Sequence, residues 1–377
     1  MRFVRENLFY VILAAVVVIG SGVAIFYYIG SDIGNSLDRR QKLSRDLKRL
    51  ANHKPKVNND AVEDMKARIE RLKQANDGDL QACLKFNREY LPIIRLKVSE
   101  ASSEPAFPVD AAKYSAEGLY LRFFEEYTRQ IDLAISPRRQ GLLPTVPPTL
   151  QEVEDERVKL AEKYTDSIEA SQKAAQSVKL SKTENSLIYI DPGALDRYFP
   201  QRQSRAVPDV KLWEAQVNLW VTNEIIQAII TTNQQWLAEQ QSPGAPAIVP
   251  SVPRSAIKRL IKILVTETIV PAAGTAVSSM TQRDTCGQYA VVPYMFTVIM
   301  PTRHVRRLSR VLETQNYHTV TDLNMTKVGP TDKAMFYYGV EPVMEVEIKG
   351  ELLLLADWIR PLLPTRLAVH MPGASGK

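Results

Sequence analysis

Near the carboxyl end of the chain, apolar and polar residues alternate one by one. Met344, Val346 and Ile348 interleave with Glu345, Glu347 and Lys349, the period of two that turns one face of a strand toward a core. The pattern predicts a strand over residues 342–355. Three more strands are expected at 256–268, where Ile261, Ile263 and Val265 share a face, at 289–300 and at about 317–328. Between them the period lengthens to that of a helix. Residues 303–315 gather Val305, Leu308, Val311 and Leu312 on one side, with Thr302 as a cap and Arg303, Arg306, Arg307 and Arg310 pointing elsewhere. Residues 210–241 are apolar around most of a helix, from Trp213, Val217 and Trp220 to Ile225, Ile229 and Trp236, and such a helix is usually buried between layers. The order helix, strand, strand therefore occurs twice. The expectation is an α+β domain over 210–360, one antiparallel sheet covered by two helices, followed by a flexible tail at 361–377.

Upstream the pattern is helical. Residues 91–209 predict a mostly helical intermediate region, with an amphipathic run at 114–135, a connector at 136–148 that holds Pro137, Pro144, Pro147 and Pro148, and a charged helix from 150 to about 180. Residues 31–90 predict a helical, coiled-coil-like stalk: Leu43, Leu47 and Leu50, a break at Pro55, then a heptad with Val62 and Ile69 at a and Met65 and Leu72 at d. Those four residues form a candidate dimer seam. Continued, the register puts Asn76 and Cys83 at a and Asp79 and Phe86 at d, although Gly78 weakens the helix there.

Residues 8–30, after a short tail at 1–7, contain no charge. About 20 apolar residues suffice to cross a bilayer core, and Tyr10, Tyr27 and Tyr28 stand near the ends of the run, where aromatic rings favour the interface. The expectation is a single transmembrane helix, with Gly20 and Ala24 as a small-residue packing pair. Flanking charge is ambiguous about direction, since Arg2 and Arg5 precede the run while Arg39, Arg40 and Lys42 follow it.

Composition narrows the chemistry. The net charge of +6 invites a nucleic-acid reading, but residues 36–76 hold 12 Lys plus Arg against 6 Asp plus Glu and account for the whole excess. The rest is neutral by count, and the basic stretch reads as a solvated helix face beside lipid. Tyr294 and Phe296 on a strand next to an arginine-rich helix resemble an RNA-binding sheet, yet VVPYMFTVIM lacks the glycine and leading cation of that motif. Neither Cys83 nor Cys286 has a CxxC partner, and His53, His304, His318 and His370 lack metal-ligand spacing. Asp284, Cys286 and His304 suggest a thiol nucleophile, but nothing fixes the geometry that it needs. No catalytic residue, metal or cofactor is expected.

Taken together, the uncharged run at 8–30, the stalk at 36–76 and the twofold helix–strand–strand order from 210 to 355 resemble the PilO and GspM group of platform proteins from type IV pilus and type II secretion systems. The resemblance implies a bitopic protein of the bacterial inner membrane, with a periplasmic body ending in a permuted ferredoxin-like domain. It further implies a non-catalytic scaffold that pairs as a homodimer, or as a heterodimer with similar bitopic proteins, without nucleic acid or a small-molecule substrate. The region 91–209 is larger than small members of that group require. The alternative is a membrane-tethered ligand-binding or sensory domain of the same fold.

Overall fold

The computed structural model describes residues 13, 16–22, 33–52, 59–89, 91–97, 102–109, 116–136, 141–161, 163, 167–195, 209–242, 249–265, 281, 283, 285–329, 332, 335–364 and 367. In chain order they form α1 (Ile33–Asn52), α2 (Asn59–Arg88), β1 (Arg95–Lys97), β2 (Ser103–Pro105), α3 (Ala116–Ala134), β3 (Pro144–Thr145), α4 (Leu150–Ala161), α5 (Ser167–Thr183), β4 (Ile188–Ile190) and α6 (Asp209–Gln240). After these come β5 (Arg259–Val265), β6 (Tyr289–Met300), α7 (Val305–Gln315), β7 (His318–Lys327), β8 (Met344–Leu355) and the short α8 (Ala356–Ile359). The chain divides into two compact units, 1–78 and 79–377.

In the second unit the sheet has six strands in the order β3-β4-β5-β6-β8-β7. β3, β4 and β5 run parallel, and the pairs β5/β6, β6/β8 and β8/β7 are antiparallel. The central pair is the longest, in register from Tyr289↔Leu355 to Met300↔Met344, with Phe296 opposite Ile348 and Val298 opposite Val346. All four of those side chains are buried, so the alternation that marks β8 places one face on the core. Tyr294 lies opposite Gly350, where a Cβ would stand 2.5 Å from the tyrosine hydroxyl. Only glycine leaves room for the ring there.

α6 is the centre of the core. Trp213, Trp220, Ile225, Ile226 and Ile229 are fully buried, and they join Phe296, Val298, Leu308, Leu312 and Ile348 in one apolar cluster. α3 adds Tyr120, Phe123, Tyr127 and Ile131, spaced three and four apart on one face. Phe107 sits edge-on to both Phe123 and Trp213, at 5.9 and 5.1 Å between ring centres. The opposite face of the sheet carries a smaller cluster of Tyr189, Val252, Ile299, Phe336 and Tyr338. α4 begins in a capping box: the Thr149 amide donates to Glu152 Oε2 at 2.8 Å, and the Glu152 amide to Thr149 Oγ1 at 3.2 Å. α4 and α5 are separate helices, tied by a Lys182–Glu152 ion pair at 2.5 Å, where the charge pattern predicts one helix.

Two expectations about fold are corrected. First, the sheet is not a four-stranded antiparallel unit closed within 210–360. The edge of β5 is occupied by β4, whose Ile188, Tyr189 and Ile190 are all buried, and β3 pairs in turn on β4. Strands of three and two residues are too short to show a period, and the three residues of β4 divide between the two apolar clusters, Ile188 and Ile190 in the larger and Tyr189 in the smaller. Second, among the described residues no helix is long and apolar enough to cross a membrane. The run at 8–30 lies mostly outside the described residues, which include only 13 and the short helical stretch 16–22 of it. The 20-residue α1 is crowded with arginine and lysine. The transmembrane helix, and with it the single-pass placement in a bacterial inner membrane with a periplasmic body, is therefore not supported.

Candidate functional site

The four seam residues lie on α2, a helix of 30 residues that continues through Gly78. A Cβ at that glycine would meet nothing within 4 Å. Val62 is half-buried, whereas Met65, Ile69 and Leu72 are 68%, 51% and 62% exposed. The same a and d register ends differently. Phe86 is half-buried against Tyr317, edge-on at 5.1 Å. Burial, reinforced by a hydrogen bond with the Cys83 side chain, pushes the Tyr317 phenol up to about 12. Gly20 is surrounded by open space, and Ala24 lies outside the described residues, so the small-residue pair is not brought together by anything in view.

One residue beyond Phe86, Asn87 is fully buried and satisfies every group of its amide. Its Nδ2 donates to Asn316 Oδ1 at 2.9 Å and to the Leu353 carbonyl at 2.8 Å. Its Oδ1 accepts from the Leu355 amide at 2.8 Å and from Trp358 Nε1 at 2.7 Å. Asn316 Nδ2 donates in return to the Asn87 carbonyl at 3.2 Å. The last turn of α2 is thus fastened to the end of β8 and to α8 by one side chain.

Asn316 also opens a sealed polar chain. Glu224 of α6 accepts from Gln315 Nε2 at 2.8 Å and from Asn316 Nδ2 at 3.4 Å. His318 Nε2 lies 3.4 Å from Glu224 Oε2, and His318 Nδ1 lies 3.0 Å from the Tyr294 hydroxyl. The Glu224 and His318 side chains have no exposed surface. Burial first, then the charge of Glu224, holds the Tyr294 phenol well above its ordinary range. A tyrosine, a histidine and a carboxylate in a row are suited to passing a proton, but these three line none of the grooves described below. What they do is bind α6 to β6 and β7 through groups whose hydrogen-bonding needs are met internally.

Three further polar centres escaped pattern reading. Arg259 Nε and Nη2 grip both oxygens of Asp191 at 2.7 and 2.6 Å, Nη1 reaches Asp332 at 3.1 Å, and the guanidinium lies 3.9 Å over the ring of Phe336. Burial alone would pull that guanidinium down, but its bonds to Asp191 and Tyr338 outweigh the loss and keep it above its usual value. Lys258 is wholly buried and donates to the carbonyls of Val252, Pro253 and Ser255 at 3.3, 2.8 and 3.1 Å. Burial pushes its ammonium down to about 8. At the start of α7, Arg303 pairs with Glu341 at 2.6 Å and lies 4.6 Å over Trp236, while Arg307 grips both oxygens of Glu239 at 2.7 and 2.6 Å. The arginine-rich face of α7 is therefore partly engaged, with Arg306 and Arg310 left exposed. Tyr294 and Phe296 are core residues.

Among the described residues, no group of three or more His, Cys, Asp or Glu could hold a metal ion. The largest groove described, about 650 Å³, is lined by Arg88, Leu91, Arg95, Pro105, Trp358 and Leu362 among others. A neighbouring groove of about 480 Å³ shares Arg88 and Trp358.

No family model matches the chain, and no curated protein matches it. Among solved structures, a crystal structure of a protein from Akkermansia muciniphila is similar at 9% identity, covering 64% of this chain and 96% of that one with a TM-score of 0.26. A second chain from the same organism, determined without its transmembrane region, has 9% identity, covers 60% and 95%, and scores 0.24. A core domain from that organism has 11% identity, covers 60% and 97%, and scores 0.22. Scores this low give these likenesses no weight for fold or function.

Proposed function

We propose that this chain is a protein–protein assembly module with no reaction of its own, and that it pairs through the apolar stripe of α2. The observation that carries this reading is the exposure of Met65, Ile69 and Leu72, each at least half open to solvent. Apolar side chains scattered on a surface are ordinary, but residues at heptad spacing along one helix form the continuous stripe that a second helix covers. Supporting it, the buried network of Glu224, His318, Tyr294, Asn316 and Asn87 is satisfied by its own members and by nearby backbone, and these residues line none of the grooves described. In its finer form the reading is a spacer subunit of a larger machine, the role that the PilO and GspM group fills in pilus and secretion assemblies.

A photo-crosslinking amino acid at Leu72, introduced into the full chain in its native cell, tests this. The expected result is a discrete adduct with one partner chain, abolished by Ile69→Asp while the thermal unfolding of the protein is unchanged. Absence of an adduct from both Leu72 and Met65 would overturn the proposal.

A further inference from the structure

If Val62 and Ile69 are a residues and Met65 and Leu72 are d residues, the positions bordering the seam are e and g. Three of them hold Lys66, Arg68 and Lys73, and Ala61 and Ala75 hold the adjoining g positions. Glu63, Asp64 and Glu70 fall at b and c, away from the seam. Lys66, Arg68 and Lys73 are all exposed. The border of the stripe is thus basic or small, with no acid in it.

That border decides which helix can cover the stripe. In a parallel pair of two copies, a g residue faces the e residue five positions on in the other helix, so Arg68 would meet Lys73 of the second copy, and would do so twice. An antiparallel pair sets e against e and g against g, again cation against cation. Like charges in such positions destabilise by about as much as opposite charges stabilise, and repulsion of this kind is how helices reject wrong partners. α1 does not cover the stripe either, since its Leu43 and Leu47 are exposed, as are Met65, Ile69 and Leu72.

We infer that the partner of α2 is a helix of a different protein, with an apolar a and d seam bordered by glutamate or aspartate. This rests on the reading of α2 as a pairing helix and adds the partner's charge to it.

Two synthetic helical peptides of about four heptads serve as probes. Both carry leucine and isoleucine at a and d, one with glutamate at every e and g position and the other with lysine there. Fluorescence anisotropy against the full chain at low salt should give binding of the acidic peptide about tenfold tighter than that of the basic one. The preference should shrink as salt shortens the screening length. The variant K66E/R68E/K73E, with helix content confirmed by circular dichroism, should reverse the preference, and Ile69→Asp should abolish binding of both. Sedimentation of the full chain alone completes the test. Self-association through α2 that is tighter than acidic-peptide binding, or equal binding of the two peptides, would overturn the inference while leaving helix pairing intact. No binding of either peptide by a chain that stays monomeric would overturn both.

Discussion

Met65, Ile69 and Leu72 share one helix and one heptad register with Phe86, yet the first three are open to solvent whereas Phe86 is half-buried and the adjoining Asn87 is buried and tied to the sheet. Met65, Ile69 and Leu72 are all more than half exposed. Phe86 packs on Tyr317, and Asn87 makes four hydrogen bonds with its side chain alone. Periodicity marks the face of a helix that wants cover, but what covers it depends on which surfaces the rest of the chain brings near. A buried asparagine whose donors and acceptors are all matched makes the second contact specific. An apolar stripe with a basic border leaves the first to be chosen by charge.

Four measurements can break or sharpen this contrast. The largest effect is expected for Glu224→Ala, which removes the buried carboxylate shared by Gln315, Asn316 and His318, leaves His318 Nε2 without its partner, and should cost about 4 kcal/mol in urea unfolding. A loss below about 1 kcal/mol would mean that the sealed network does not hold the body together. Asn87→Ala should cost about 3 kcal/mol, because the Leu355 amide, Trp358 Nε1 and the Leu353 carbonyl all lose their buried partner. Hydrogen exchange should show increased opening at the end of α2 and at α8, but no change in the central β6–β8 pair.

Acid should act on the buried side of the contrast. Burial, followed by the neighbouring Arg303, Arg307 and Lys258, lowers His304 to about 4. Its folded value lies below its unfolded one, so between about 6.5 and 4 the unfolded chain binds more protons and stability falls as pH falls. The contribution is about 1 kcal/mol, and His304→Gln should remove that part of the slope. The smallest effect on stability is expected for Ile69→Asp, within about 0.5 kcal/mol of the parent, although the same change should eliminate pairing. A large destabilisation by Ile69→Asp would show that the stripe is already covered within the chain.

The long periodic elements were legible in advance. α6, α7, β6, β7 and β8 fall near the residues whose patterns mark them, since an apolar face repeated over ten or more residues leaves little choice of conformation. β3 and β4 were not, because two or three residues cannot establish a period and their assignment depends on the free edge of β5. The seam residues were legible as a stripe on a helix, whereas the basic stretch around them was read only as a solvated face. The network of Glu224, His318, Tyr294, Asn316 and Asn87 was not, since its members come from elements up to 229 residues apart in the Asn87–Asn316 bond and no spacing along the chain connects them. Lys258 and Arg259 are adjacent cations that sequence places on one strand end, yet one is caged by carbonyls and the other by carboxylates.

Sequence by itself determined where the long periodic helices and strands of this protein lie, which side of each is apolar, and where its excess charge resides, because those properties are local and repeat with the geometry of the backbone. Tertiary structure alone decided which apolar sides meet, which polar groups are sealed with them, and that three seam residues of α2 remain exposed. Burial and hydrogen-bond matching are properties of neighbours in space, and neighbours in space are set by how the whole chain closes on itself.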